Sequence, residues 1–208
     1  MSAAPADAFT LAHWRRSVAE LYAAVRAGGA RDPEAASRNF RAGRERLFRE
    51  HPQSPIAPDE RRAWPGFAWH PYDPAWRMAA TIDRDVSPLD FEIPLAADGI
   101  LRCSRAGVVR FVAGGRTAAL SVFWLEGYGG GLWLPFGDAS NGRGTYGGGR
   151  YLYDTIKGAD LGVSADAFVL DFNFAYNPSC AYDARWSCPL PPAENRLPFA
   201  VEAGERVA

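Results

Sequence analysis

Apolar positions recur with a helical step over the first fifty residues and with a step of two over much of the remainder. Leu11, Trp14, Val18, Leu21 and Val25 fall at three- and four-residue intervals, which predicts an amphipathic helix over 7–27 closed by Gly28-Gly29. Asp32 then offers an N-cap and Pro33 a first helical position, where its missing N–H costs nothing. Ala36, Phe40, Gly43 and Leu47 share one face of this second helix, and Pro52 stops it. Pro52, Pro55, Pro58 and Pro65 make the next stretch an extended connector. The expected organisation is a helical hairpin in residues 1–51, a proline-rich connector in 52–66 and a β domain over 67–208.

From Trp76 the period changes. Trp76, Met78, Ala80 and Ile82 alternate with Arg77, Ala79 and Thr81, and Leu89, Phe91 and Ile93 alternate with Asp90 and Glu92. Val108 to Val112 and Arg116 to Leu125 flank Gly114-Gly115, a hairpin signal because a primed turn needs positive φ. Leu132 to Phe136 and Ala167 to Phe172 complete at least six strands. No helical run long enough for a parallel crossover separates them, so the sheet should be antiparallel. The fold class expected is mainly β within α+β, an antiparallel barrel or sandwich with the barrel preferred.

Past Phe172 the chain turns irregular, with prolines at 178, 189, 191, 192 and 198. It still carries Phe174, Tyr176, Tyr182, Trp186 and Phe199, whose rings need burial, so this tail should wrap over the sheet. Tyr128-Gly129-Gly130-Gly131 and Tyr146-Gly147-Gly148-Gly149 each precede an apolar run and read as two similar strand entries with glycine bends. The period is not sustained, which excludes a solenoid.

Composition narrows the class further. With 208 residues the chain can bury a core without disulfides or metals, and its 21 Gly, 16 Pro and 7 Trp suit short strands and tight turns. A net charge of −1 leaves no summed field to recruit nucleic acid or anionic lipid. Arg38, Arg41, Arg44, Arg46, Arg49 and the pair Arg61-Arg62 alternate with acidic residues and read as a solvated helix face of mixed charge. No run approaches the ~18 apolar residues of a membrane span, and Met1 to Asp7 has neither the basic nor the apolar region of a signal peptide. No membrane or nucleic-acid partner is expected, and the expected location is cytoplasmic. Three cysteines, an odd number, fit a reducing compartment.

Four groups could carry chemistry. Asn141 to Arg150 is glycine-rich with two arginines, either a hairpin with glycine bends or a subsite for a carboxylate or phosphate; no Walker or dinucleotide fingerprint is present. Phe168 to Asn173 sets Val169, Asp171 and Asn173 on one face of a strand. Arg150 is the expected partner of Asp171, in a structural ion pair or beside a general acid/base. Cys180 and Cys188 are separated by seven residues and lie far in sequence from His13, His51 and His70, which disfavours a zinc knuckle. They read as inert thiols, with a Cys180–His70 nucleophile as the alternative. Trp64, Phe67, Trp69, His70, Tyr72 and Trp76 read as core that seats the connector, or as the lining of an apolar pocket.

Several of these segments together resemble a known family, the bacterial and archaeal domain of unknown function 1684. The resemblance rests on Phe67-Ala68-Trp69-His70-Pro71-Tyr72-Asp73, on Phe136-Gly137-Asp138 and on Thr145 to Leu152. It is strongest in Leu170 to Cys180 and in Cys188 to Leu197, and Ala203-Gly204-Glu205 closes it. It covers roughly 64–206. The family pattern often has a second aromatic at the His70 position, which counts against a Cys180–His70 pair. The family brings no activity to carry over. The resemblance does imply that Asp138, Tyr146, Arg150, Asp171 and Asn173 belong together with Tyr176, Asn177, Glu194, Asn195 and Glu205.

These residues support three functional expectations. A β pocket would bind a small anionic or amphipathic molecule, with Arg150 and the 142–149 amides as the anion subsite and Asp138, Tyr146, Asn173, Tyr176, Asn177, Asn195 and Glu205 as further binding groups. Alternatively, a hydrolase or isomerase would use Asp171 or Glu194 for proton transfer, with Tyr146 and Asn173 orienting the substrate. In the third, the polar motif simply locks the tail onto the sheet. No metal ligand set is expected, and the residues point to no particular cofactor.

Overall fold

The computed structural model describes residues 5–95, 99–162 and 168–207. Helices α1 (Pro5–Gly28) and α2 (Pro33–Glu50) form an antiparallel hairpin. The Asp32 carboxylate caps α2 by accepting from the Ala35 amide at 2.8 Å, with Pro33 in the first turn. Tyr22 and Val25 of α1 and Phe40 of α2 are buried in the same apolar cluster as the sheet residues, so the hairpin is part of the core.

The β region holds β1 (Arg77–Ala80), β2 (Ile82–Asp83), β3 (Asp90–Leu95), β4 (Gly99–Ala113), β5 (Arg116–Leu125), β6 (Gly131–Phe136), β7 (Arg150–Asp154) and β8 (Phe168–Asp171). All strand pairing among them is antiparallel. The hairpin of β4 and β5 turns on Gly114 and Gly115 at φ +57° and +74°, which glycine adopts without the Cβ penalty. A six-stranded sheet runs in the order β2-β4-β5-β6-β7, with β3 also paired to β4; β1 and β8 form a separate two-stranded sheet.

This is a mixed α+β fold with no closed barrel, which corrects the preferred architecture. Two events prevent closure. The alternating run from Trp76 divides at Thr81, so that Arg77–Ala80 pairs with β8 while Ile82–Asp83 pairs with β4. The outer edge of β7 is occupied by the tail: Tyr151 N–H donates to the Tyr176 carbonyl at 3.0 Å, and Tyr176 N–H returns a bond at 3.1 Å. Covering an edge in this way removes an aggregation template as well as a closure partner. Of the strand expected over Ala167 to Phe172, residue 167 lies outside the described residues, and Phe172 already belongs to the next turn.

The large sheet is buried on both faces at its centre. Phe111, Val122, Leu134, Phe136 and Leu152 belong to one cluster, and Phe123, Trp133, Tyr151 and Cys103 to another. Phe172 is the hub of the first, with its ring 5.2–5.7 Å from those of Phe136, Phe111 and Trp76. Truncating such a ring costs about 3–5 kcal/mol. No helix among the described residues is long and apolar enough to cross a membrane.

Candidate functional site

The polar residues of the C-terminal motif sort into three groups by what they hold. The first centres on Arg150 at the start of β7, which is fully buried. Its guanidinium donates to the Asp138 carboxylate at 2.8 Å, to the carbonyls of Val201 (2.9 Å) and Glu205 (3.2 Å), and to that of Ala203. The ring of Phe136 lies 5.1 Å beneath it. Burial lowers its pKa, and Asp138 opposes that shift. Asp138 also accepts from the Ser140 amide at 2.7 Å, and Asn141 bonds the Asp138 amide, the Thr145 hydroxyl and the Tyr146 carbonyl. The glycine-rich loop is thus folded on itself, and the Arg150 contacts are to the protein's own chain.

The second group ties Asp73 and the start of β1 to the end of β8. Asp171 pairs with Arg77 at 2.9 Å, so the pairing expected with Arg150 does not form. The reason is register: Arg77 lies directly across from Asp171 in the β1–β8 ladder. Asn173 sits beyond the strand, in a 3-10 turn over Phe172–Phe174, instead of sharing a strand face with Asp171. Its side chain accepts from the Asp73 amide at 2.9 Å and donates to the Asp73 carbonyl at 2.8 Å and to Asp171 at 2.9 Å. Burial raises the Asp171 pKa, against hydrogen bonds from Asn173 and Arg77. Glu194 pairs instead with Arg105 of β4 at 2.8 Å, on the large sheet, so the two carboxylates expected as candidates for proton transfer serve different arginines in different sheets. Beside Glu194, buried Asn195 bonds both the amide and the carbonyl of Ser121 and the carbonyl of Pro135. These bonds fill a gap where β5 and β6 are not paired to each other.

The third group contains a cavity. Glu205 is fully buried, and its carboxylate accepts from Arg44 at 3.2 Å, from the Asn177 amide at 3.2 Å and from the Asn177 side chain at 3.1 Å. Burial, the largest influence, pushes its pKa up to about 7 against the favourable Arg44 charge. The Arg44 guanidinium lies 4.5 Å from the ring of Phe48, 4.8 Å from Phe67 and 5.1 Å from Tyr176. A cavity of about 250 Å³ adjoins this arrangement, walled by Trp64, Phe67, Tyr182, Asn177 and Glu205. Two polar atoms of its lining residues are buried without a hydrogen-bond partner among the described residues: Asn177 Oδ1 and the Tyr182 hydroxyl.

The Tyr146 side chain points away from these groups, with its hydroxyl 3.6 Å from the Cys180 sulfur. Tyr176 contributes its backbone to the β7 edge and its ring to the stack under Arg44.

The arginines of α2 are the residues missed in the sequence. Arg41 lies over Trp69 at 4.9 Å, Arg49 over Trp64 at 5.0 Å, and Arg44 has only 11% of its side chain exposed, which corrects the expectation of a solvated face at these three positions, while Arg38 and Arg46 are exposed. A signal was present: these positions project toward the dense aromatic group at 64–69, whose faces attract guanidinium ions.

Fold and site together define an α+β protein in which a polar C-terminal segment is wound over two antiparallel sheets. The family model described as protein of unknown function (DUF1684) matches residues 62–206, and the chain belongs to that family. It is also similar to the solution NMR structure of an uncharacterized protein from Haloarcula marismortui, at 34% identity and a TM-score of 0.61, over 86% of this chain and 96% of that one. No curated protein matches it.

Proposed function

We propose that the protein binds a small amphipathic molecule in the Glu205 cavity. The observation that carries this reading is a fully buried carboxyl, its pKa raised by that burial, in the wall of an aromatic-lined cavity. Buried polar groups normally find partners, and the free Asn177 Oδ1 and Tyr182 hydroxyl are groups a ligand would satisfy after a small shift. About 250 Å³ lies just under the ~300 Å³ at which ordinary ligand pockets begin, so the ligand is compact. Two acceptors, Glu205 and Asn177 Oδ1, favour a hydrogen-bond donor at its polar end, with the rest against Trp64 and Phe67. An anion is less suited to this wall, and Arg150, the residue expected to hold one, already serves Asp138 and the tail.

The test is a thermal-shift screen of small neutral and cationic metabolites, with affinities then measured on Y182F and E205Q. Loss of tenfold or more in either variant supports the cavity. Unchanged affinity for every wild-type hit in both variants removes it. A second reading rests on the same carboxyl: a group that titrates near neutrality is suited to general acid/base work. Conversion of a bound hit by the wild type and its abolition in E205Q would establish that reading.

A further inference from the structure

Cys180 and Cys188 are not isolated thiols. Cys180 lies in a 3-10 turn over Ser179–Ala181, and its amide N–H donates to the Cys188 sulfur at 3.3 Å. The second sulfur is therefore held against the very residue that carries the first. The Tyr146 hydroxyl, from the glycine-rich loop, donates to the Cys180 sulfur at 3.6 Å. Both cysteines are half-buried, unlike Cys103, which is fully enclosed beneath the sheet. A hydrogen bond from the Cys188 thiol is the main influence that brings Cys180 down to about 6, with the Tyr146 bond assisting and burial opposing. Giving that bond raises Cys188 well above the ordinary thiol range, while the Lys157 charge favours a thiolate at either sulfur. The shared hydrogen bond thus lowers Cys180 and raises Cys188, with the Tyr146 hydroxyl adding to the first effect. Burial pushes Cys103 the other way, to about 11.

We propose that Cys180 and Cys188 form a peroxide-oxidisable dithiol, with Cys180 as the attacking thiolate, Cys188 as the resolving thiol and Tyr146 as a positioning residue. Hydrogen peroxide or a small alkyl hydroperoxide is the oxidant. The Cys180 sulfur attacks one peroxide oxygen; an S–O bond forms, the O–O bond breaks, and the departing hydroxide (or alkoxide) takes a proton to leave as water or alcohol. Cys180 is now a sulfenic acid, oxidised by two electrons. The Cys188 sulfur then attacks the Cys180 sulfur; the S–S bond forms, the S–O bond breaks, and hydroxide leaves with the Cys188 proton as water. Two thiols and one hydrogen peroxide yield one disulfide and two waters. The ring so closed contains Tyr182 and Trp186. The thiolate is the reactive form and nucleophilic attack scales with its population, which is why Cys180 leads and Cys103 does not.

The experiment treats the reduced full chain with stoichiometric hydrogen peroxide and maps its peptides by mass spectrometry. The expected product is a Cys180–Cys188 linked peptide, two hydrogens lighter than the reduced pair, with Cys103 still a thiol. C188S should stop at a sulfenic acid that dimedone traps on Cys180, and C180S should give neither species. Y146F should slow Cys180 oxidation several-fold near pH 6, where the fraction of thiolate is most sensitive to that bond. Wild-type protein alone also decides the matter: iodoacetamide labelling against pH should show Cys180 reacting well below the pH at which it reacts in the urea-denatured chain. Equal profiles in folded and denatured protein, or oxidation of Cys180 to sulfinic acid with no linked peptide, would overturn the proposal.

Discussion

The Arg150 guanidinium and the Asp138 carboxylate lie 2.8 Å apart, and neither side chain is exposed. Removing one partner of such a pair leaves an uncompensated buried charge, which costs about 3–5 kcal/mol. R150M and D138L should each lower the stability read from urea unfolding by that amount. Where the pair stands alone, the double variant often recovers. Here it should not, because the carbonyls of Val201, Ala203 and Glu205 lose their donor along with Arg150. A double variant as stable as wild type would show that the guanidinium does not hold the tail.

Glu205 makes stability depend on pH in a particular direction. Its pKa rises on folding from the ordinary 4.5 to about 7, chiefly through burial, with Arg44, Arg150 and the Asn177 amide opposing. A raised carboxyl favours the folded state when protonated, so its contribution is whole below about pH 4.5 and lost as the pH climbs to about 7. The loss approaches ~1.4 kcal/mol per pH unit inside that window. Urea unfolding at a series of pH values should show this slope in the wild type and its absence in E205Q; parallel curves would refute it.

His51 acts in the opposite sense on the helical hairpin. Its ring stacks on that of His13 with centroids 5.1 Å apart, bonds it at 2.9 Å and accepts from the Gln53 amide at 3.0 Å. Burial, then the His13 and Arg61 charges, lower its pKa below the ordinary 6.5. A histidine kept neutral by folding gives stability that is whole above pH 6.5 and falls as the pH drops below it. Proton NMR should find His51 titrating below a free histidine, with amides of α1 less protected at pH 5 than at pH 7 once intrinsic exchange rates are divided out. A His51 that titrates at or above the free value would contradict this.

Gly204 and Gly115 separate strain from collision. Both have positive φ, +79° and +74°, but a Cβ on Gly204 would lie 2.6 Å from the Ala175 carbonyl oxygen and 2.7 Å from that of Phe172, while one on Gly115 meets nothing. G115A should cost only the conformational penalty, about 1–2 kcal/mol. G204A should cost at least about 1 kcal/mol more, because the tail must lift to admit the methyl. Equal midpoints in thermal melts of the two variants would mean that the tail is not seated as described.

Periodicity is informative where one face of an element is wet. Both helices and the β4–β5 hairpin are legible for that reason, down to the cap Asp32 and the turn Gly114-Gly115. It says little where both faces are covered: β7 reads Arg-Tyr-Leu-Tyr-Asp with every residue buried, so no alternation marks it beyond a glycine bend before it. Pairing is less legible still. Arg77 and Arg150 are alike as candidates for Asp171, and only the β1–β8 register, set by long-range contacts, decides between them. The motif residues from Asp138 to Glu205 can be named as a set, whereas Arg44, which meets Glu205 from 161 positions away, lies in a helix where a charged residue ordinarily signals solvent.

That distance of 161 positions imposes an order on biosynthesis. A ribosome releases α2, with Phe40, Phe48 and the arginines, long before it makes the glutamate that joins them, and β1 waits likewise for Asp171, 94 positions on. Helical hairpin and aromatic connector therefore emerge with their apolar faces uncovered. Until the motif that carries Tyr176 is made, the β7 edge lacks the backbone that covers it in the folded protein, and an uncovered edge is a template for aggregation.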